Sequence, residues 1–202
     1  MDTLMKLVLF QAVLLAFQGV TYTAIQKFER PVHDVALPID QKIPFVPQTV
    51  YIYGLWYPLI AVFPILLYFA SPHMYSQYIA SILIDIGISL LIYAVYPTSF
   101  KRPQPKTEKP SDKIIGWLYT KGNYKGKNCM PSMHCSMCFI VIVFALCCGD
   151  MLVWIRILTC LLAIMIVIST VLTKQHVMVD MVAAVPLAAV CCSLSFGIYR
   201  LC

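Results

Sequence analysis

Four short segments hold the residue types whose spacing could do chemistry. They are Arg102-Pro103, Pro131-Ser132-Met133-His134, Ser169-Thr170, and His176 with Asp180 four positions on. Residues four apart on a helix share a face, so the Asp180 carboxylate can reach His176. A carboxylate on one imidazole nitrogen fixes the tautomer and leaves the other nitrogen's lone pair pointing outward, which prepares a histidine nucleophile. The Pro-Ser-Met-His segment opens an apolar run, and a helix start presents unpaired N–H groups and a positive dipole end to an anion. Ser132 adds a hydroxyl donor there, and His134 faces whatever anion rests on it. A guanidinium at Arg102 can grip phosphate oxygens in a fork. The plainer readings are a self-satisfying His–Asp pair and a proline-serine turn that only caps a helix. Ionisable groups at the edge of membrane spans are costly, which favours function.

The elements that must position these residues are membrane helices. A chain that is 60% hydrophobic and only 12% charged over 202 residues lies far from the soluble norm of roughly 25% charged. Crossing a bilayer takes about 20 apolar residues, and only helices string several such runs together with every backbone group satisfied. Six runs qualify: Met5 to Thr23, Tyr51 to Ala70, Tyr78 to Tyr96, His134 to Cys148, Leu152 to Leu172, and Val177 to Tyr199. The fourth is short and is expected to begin at Pro131, whose missing N–H suits a first helical position. The expected fold is all-α, a polytopic bundle of six transmembrane helices forming one domain over 1–202, without repeats, its site at the membrane interface. The first run competes with a signal peptide. It outlasts an ordinary signal core, and Tyr22-Thr23-Ala24 offers no small-x-small cleavage pattern, so a retained helix is expected.

Six spans put both termini on one face and the connections 24–50, 97–133 and 173–176 on the other. Both histidine segments fall on that second face. So do Lys27, Arg30, Lys42, Lys101, Arg102, Lys106, Lys109, Lys113, Lys121, Lys125, Lys127 and Lys174. These are 12 of the 15 basic residues, leaving Lys6, Arg156 and Arg200 opposite. The bias fits the positive-inside rule, which would make the face cytoplasmic, and equally a field that gathers anionic head groups. Within the long connection, Ser111 to Tyr119 reads as a short amphipathic helix capped by Ser111, with Trp117 suited to the interface. It either covers the entrance or packs on the bundle. The proline-rich segment 28–49 reads as irregular, and Asp34 and Asp40 receive no role. Asp85, inside the third run, faces the cavity or pairs with a neighbouring helix.

Nine cysteines do not form a disulfide framework, because most sit in apolar spans as small hydrophobes. Cys135 and Cys138 make a C-x-x-C, yet a thiolate is disfavoured inside a hydrophobic helix. Histidines at 33, 73, 134 and 176 lack zinc-ligand spacing, and neither metal nor cofactor is expected.

Arg102-Pro103, then Pro131-Ser132-Met133-His134, then Ser169-Thr170 with His176 and Asp180, resemble the three ordered motifs of the type-2 phosphatidic acid phosphatase superfamily. The likeness covers 97–190, while 1–96 matches only as helices, and the Ser-Thr-Val-Leu-Thr-Lys-Gln-His run is similar to a bacterial branch. The resemblance implies metal-free phosphoryl transfer through a phosphohistidine. His176 attacks phosphorus, Asp180 orients it, and His134 protonates the departing oxygen and then activates water. Arg102 and Ser132 hold the phosphoryl oxygens. Three positions depart from the family pattern. Val95 stands where it places a lysine, although Lys101 lies adjacent to Arg102. Met133 replaces a common glycine. Thr170 stands where an arginine is usual, and Lys174, four residues on, is expected to supply the missing cation.

The implied activity is an integral membrane lipid phosphate phosphatase, multi-pass, in the plasma or inner membrane. Its partners are a lipid phosphate substrate and membrane lipids, with no nucleic acid. One alternative is a lipid phosphotransferase passing a phosphoryl or phospho-head group to an alcohol such as ceramide. Another is a non-catalytic lipid-binding or transport relative. Vanadium haloperoxidases share the motifs but are soluble and lean on the arginine absent here. Resemblance to lipid phosphatases places the chemistry on the extracytoplasmic or lumenal side, opposite to the basic bias.

Overall fold

A computed structural model describes residues 2–27, 30–105, 109–122 and 126–201. Lys106 and Lys125 of the basic connection lie outside these residues, as do the side chains of Lys121 and Arg200. Eight α-helices make up the described fold: α1 (Thr3–Gln26), α2 (Val50–Gly54), α3 (Trp56–Ala70), α4 (Pro72–Val95), α5 (Pro110–Trp117), α6 (Met133–Cys147), α7 (Val153–Leu172) and α8 (Met178–Leu201). Five stretches are long and apolar enough to cross a membrane: Thr3–Gln26, Pro47–Ala70, Pro72–Val95, Val153–Leu172 and Met178–Tyr199. Helix α6 is the sixth apolar helix and the shortest of the set. The all-α, polytopic expectation is met.

Helix α6 sits at the centre, packed on α3, α4, α7 and α8. Its Met137, Ile140, Val141 and Phe144 meet Phe63 and Leu67 of α3, Tyr78 and Ile82 of α4, Ile166 of α7 and Ala188 of α8 in one core. At 1.5 Å per residue its 15 residues span about 22 Å, short of a hydrocarbon slab of about 30 Å. The outward faces of α1 and α7, with Phe17, Val20, Trp154 and Leu158 exposed, are what lipid rather than water would cover.

Side chains satisfy backbone groups at the helix ends. Ser132 caps α6, its Oγ accepting from the Cys135 N–H at 3.3 Å. Pro131 therefore precedes the cap rather than opening the helix as expected. At the other end, Arg156 donates from Nε to the Ala145 carbonyl at 2.9 Å and from Nη2 to that of Leu146 at 2.5 Å. A cation there also complements the negative end of the helix dipole. Arg30 donates in the same way to the Ala94 carbonyl in the last turn of α4. Within the bundle, Gln77, Ser81, Asp85, Ser89 and Tyr93 recur every four residues as a buried polar seam on α4. Asp85 pairs with the neighbouring helix, its Oδ2 accepting from Ser136 Oγ at 3.0 Å.

The three connections on the active face are tied together. Strands β1 (His33–Asp34) and β2 (Thr98–Ser99) pair in parallel, His33 opposite Thr98, and Ser99 bridges to Lys127. Val46 N–H donates to the Leu172 carbonyl at 2.9 Å, and Met178 N–H to Asp40 Oδ1 at 2.8 Å. Asp40, given no role above, thus links the first connection to the start of α8. Helix α5 forms as expected, but Lys109 occupies its N-cap position and Ser111 lies buried inside it, so Ser111 is not the cap.

Candidate active site

Asp180 lies in the first turn of α8, where a carboxylate complements the helix dipole. Its Oδ2 reaches back to accept from the Val177 N–H at 3.0 Å and also lies 3.2 Å from His176 Nδ1. The same Nδ1 lies 3.1 Å from the Cys129 carbonyl oxygen. Both neighbours are acceptors, so Nδ1 must carry the proton, and the lone pair of a neutral His176 sits on Nε2. His176 lines a cavity of about 260 Å³ together with His134. The two rings lie 5.9 Å apart, centroid to centroid. The Ser132 N–H donates to the Asp180 carbonyl at 3.2 Å, which locks the first turn of α6 to that of α8 and fixes this separation.

His134 is gripped from the N-terminal half of the chain. Its Nε2 lies 2.9 Å from the Tyr53 hydroxyl, and the Tyr53 and Trp56 rings lie 4.8 and 4.5 Å from its own. The two rings and the phenol hydroxyl together fix the orientation of the His134 imidazole. Tyr22 of α1 and Tyr93 of α4 complete an aromatic wall.

Arg102 reaches the His176 side. Its Nη2 donates to the Gln175 carbonyl at 3.4 Å, and its guanidinium lies 5.0 Å from the Tyr119 ring centre and 5.5 Å from that of Phe100. Gly126, at φ +58°, lies beside this guanidinium; a Cβ there would come within 4.0 Å of it. The Tyr119 hydroxyl donates to the Thr173 carbonyl at 2.9 Å, and partial burial pushes its pKa up to about 12, so it stays a neutral donor. Leu118, just after α5, lines the cavity, so this segment forms part of its wall. Cys129 is also held neutral. Burial first, then the Asp180 charge, push its thiol up to about 12 against the pull of Arg102.

Of the expected residues, His134 and His176 line the cavity, Asp180 backs His176, Ser132 caps α6 and Arg102 reaches the Gln175 carbonyl; neither Ser132 nor Arg102 lines the cavity itself, and two expected cations lie aside. Lys101 is exposed and does not line the cavity. Lys174 does not share a helical face with Thr170, because α7 ends at Leu172 and Lys174 adopts φ +51°. Its ammonium donates to the Asp40 and Ile43 carbonyls at 2.8 and 2.9 Å. Desolvation lowers its pKa, opposed by Asp40. Thr170 is fully buried, its Oγ1 donating to the Val167 carbonyl and lying 3.5 Å from Cys135 Sγ. Tyr53, Trp56 and Gln175 were not foreseen. In sequence the two aromatics read as ordinary residues of a span, and Gln175 is marked only by preceding His176.

Fold and site define a polytopic helical membrane protein with paired histidines lining one cavity. Residues 77–201 match the model of the PAP2 superfamily, and the chain belongs to that family. No curated protein and no solved structure matches the chain. The match takes in His134, His176, Asp180 and Arg102 but not Tyr53 or Trp56.

Proposed function

We propose that the protein is a membrane lipid phosphate phosphatase acting through a phosphohistidine without metal. The carrying observation is the double acceptor set on His176 Nδ1, which leaves Nε2 as the nucleophilic atom beside His134. Nε2 attacks phosphorus in line, the P–O bond to the alcohol breaks with its electron pair going to oxygen, and His134 supplies the proton. Asp180 stabilises the positive charge that develops on the His176 ring. Arg102, the Ser132 hydroxyl and the N–H groups at the α6 start hold the equatorial oxygens, where phosphoryl transfer needs most of its stabilisation. Water, activated by His134, then releases phosphate.

The cavity's aromatic lining also favours a second reading. Walls of Tyr22, Tyr53, Trp56, Tyr57 and Tyr93 suit an alcohol acceptor as well as water, giving a lipid phosphotransferase. One experiment separates the two. Purified protein is supplied with a panel of lipid phosphates in detergent with chelator present, beside His176→Ala and His134→Ala. The phosphatase reading expects inorganic phosphate, loss of turnover in both variants, and an acid-labile phosphoenzyme that His176→Ala lacks. A new phosphomonoester of an added lipid alcohol, formed in place of inorganic phosphate, supports transfer. Activity abolished by chelator removes the metal-free mechanism.

A further inference from the structure

Two buried donors at this site have no protein partner. Trp56 Nε1 and Gln175 Nε2 make no hydrogen bond, although the residues are only 3% and 5% exposed. Both residues line the cavity that holds the two histidines. More than nine in ten buried polar groups are paired, so two orphans on residues that line one cavity require an explanation. Both are N–H donors, so what satisfies them is an acceptor-rich group. Each residue also adjoins one of the two histidines. The Trp56 ring lies 4.5 Å from that of His134, and Gln175 precedes His176 with its carbonyl held by Arg102.

Resting on the phosphoryl-transfer reading above, we infer that Trp56 and Gln175 are phosphate ligands, donating Nε1–H and Nε2–H to oxygens of the bound phosphoryl group. Thr170 is packed against Cys135 and the Lys174 ammonium is taken by two carbonyls, so neither supplies a second cation. These two neutral donors, one beside each imidazole, complete the cradle with Arg102. A hydrogen bond to an ionised oxygen raises affinity by about tenfold or more, so each is large enough to detect singly.

The test uses the full chain in lipid nanodiscs with orthovanadate as a pentacoordinate phosphoryl mimic. Tryptophan is labelled with ¹⁵N at the indole, and the three resonances, from Trp56, Trp117 and Trp154, are assigned by substitution. Vanadate is expected to move the Trp56 indole resonance and leave lipid-facing Trp154 unchanged. Gln175→Leu is expected to weaken vanadate binding about tenfold or more while keeping or raising the thermal midpoint, because it removes an unsatisfied donor. If vanadate saturates the wild type while Trp56 stays still and Gln175→Leu binds equally well, the inference is overturned and the phosphatase reading stands. If the wild type neither binds vanadate nor turns over any lipid phosphate, both fall. Should Gln175→Leu not fold, the wild-type Trp56 resonance alone decides.

Discussion

At the scale of single residues, the proposed phosphatase mechanism gives one histidine a charge-stabilising partner and the other a proton-handling one. Asp180→Asn keeps a side-chain acceptor near His176 Nδ1 but removes the negative charge that offsets the imidazolium formed on attack. The expected loss in kcat is on the order of 10²- to 10⁴-fold with the fold intact, measured by lipid phosphate turnover alongside circular dichroism. Tyr53 serves His134 differently, because a phenol can accept from a protonated Nε2 and donate to a neutral one. Tyr53→Phe keeps the ring contact and deletes the hydroxyl. It should slow cleavage of alkyl phosphates, whose departing oxygen needs a proton, far more than cleavage of p-nitrophenyl phosphate, whose leaving group does not. Equal losses on both substrates would mean that Tyr53 only supports the fold. His176, Asp180 and His134 were legible because their spacing encodes local geometry, i to i+4 or the first turn of a helix. Tyr53 lies 81 positions from its partner, and no local pattern announces a contact of that range.

At the scale of elements, the turn between α7 and α8 decides where His176 points. Its bonds form a Schellman closure: Gln175 N–H to the Thr170 carbonyl at 3.0 Å and Lys174 N–H to the Val171 carbonyl at 3.1 Å. The left-handed residue of such a closure is usually glycine, and here it is Lys174 at φ +51°. A side chain in that region costs about 1–2 kcal/mol, which the two ammonium bonds to the Asp40 and Ile43 carbonyls offset. Lys174→Ala loses those bonds and keeps the strain, whereas Lys174→Gly loses the bonds and relieves it. In denaturation of the detergent-solubilised protein, Gly is expected to be the more stable variant by about 1 kcal/mol. Both should retain wild-type phosphate affinity, since the ammonium is already held by protein oxygens. A loss of phosphate affinity common to both variants would restore Lys174 to the phosphate site. The sequence suggested a helical face through Lys174 because hydrophobicity does not register the left-handed residue that ends α7. The same blindness to backbone geometry put the cap of α5 at Ser111 and the start of α6 at Pro131.

At the scale of the whole molecule, the first turn of the central helix carries His134 into a cavity that α1 helps to line. Six apolar runs were enough to read the bundle, because burial in a bilayer is written in composition. Which helix borders the cavity was not, because α1 is apolar on all sides apart from a few buried glutamines. In the structure α1 packs on α3 and α4, its Gln18 amide reaches Met133 and Met137 of α6, and it gives Leu15, Gln18, Gly19, Tyr22 and Thr23 to the cavity. Gly19 is exposed on that helix, and a Cβ built there meets nothing within 4 Å. On the phosphatase reading, this open position beside the cavity offers a passage for a lipid tail that stays in the bilayer while its phosphate reaches the histidines. Gly19→Ala should therefore be silent, and Gly19→Trp should fill the passage without clashing with the core. The indole is expected to raise KM for a long-chain lipid phosphate severalfold and leave turnover of p-nitrophenyl phosphate unchanged. Loss of both activities would show that α1 shapes the catalytic geometry itself, and loss of neither would place the lipid entrance at another seam of the bundle.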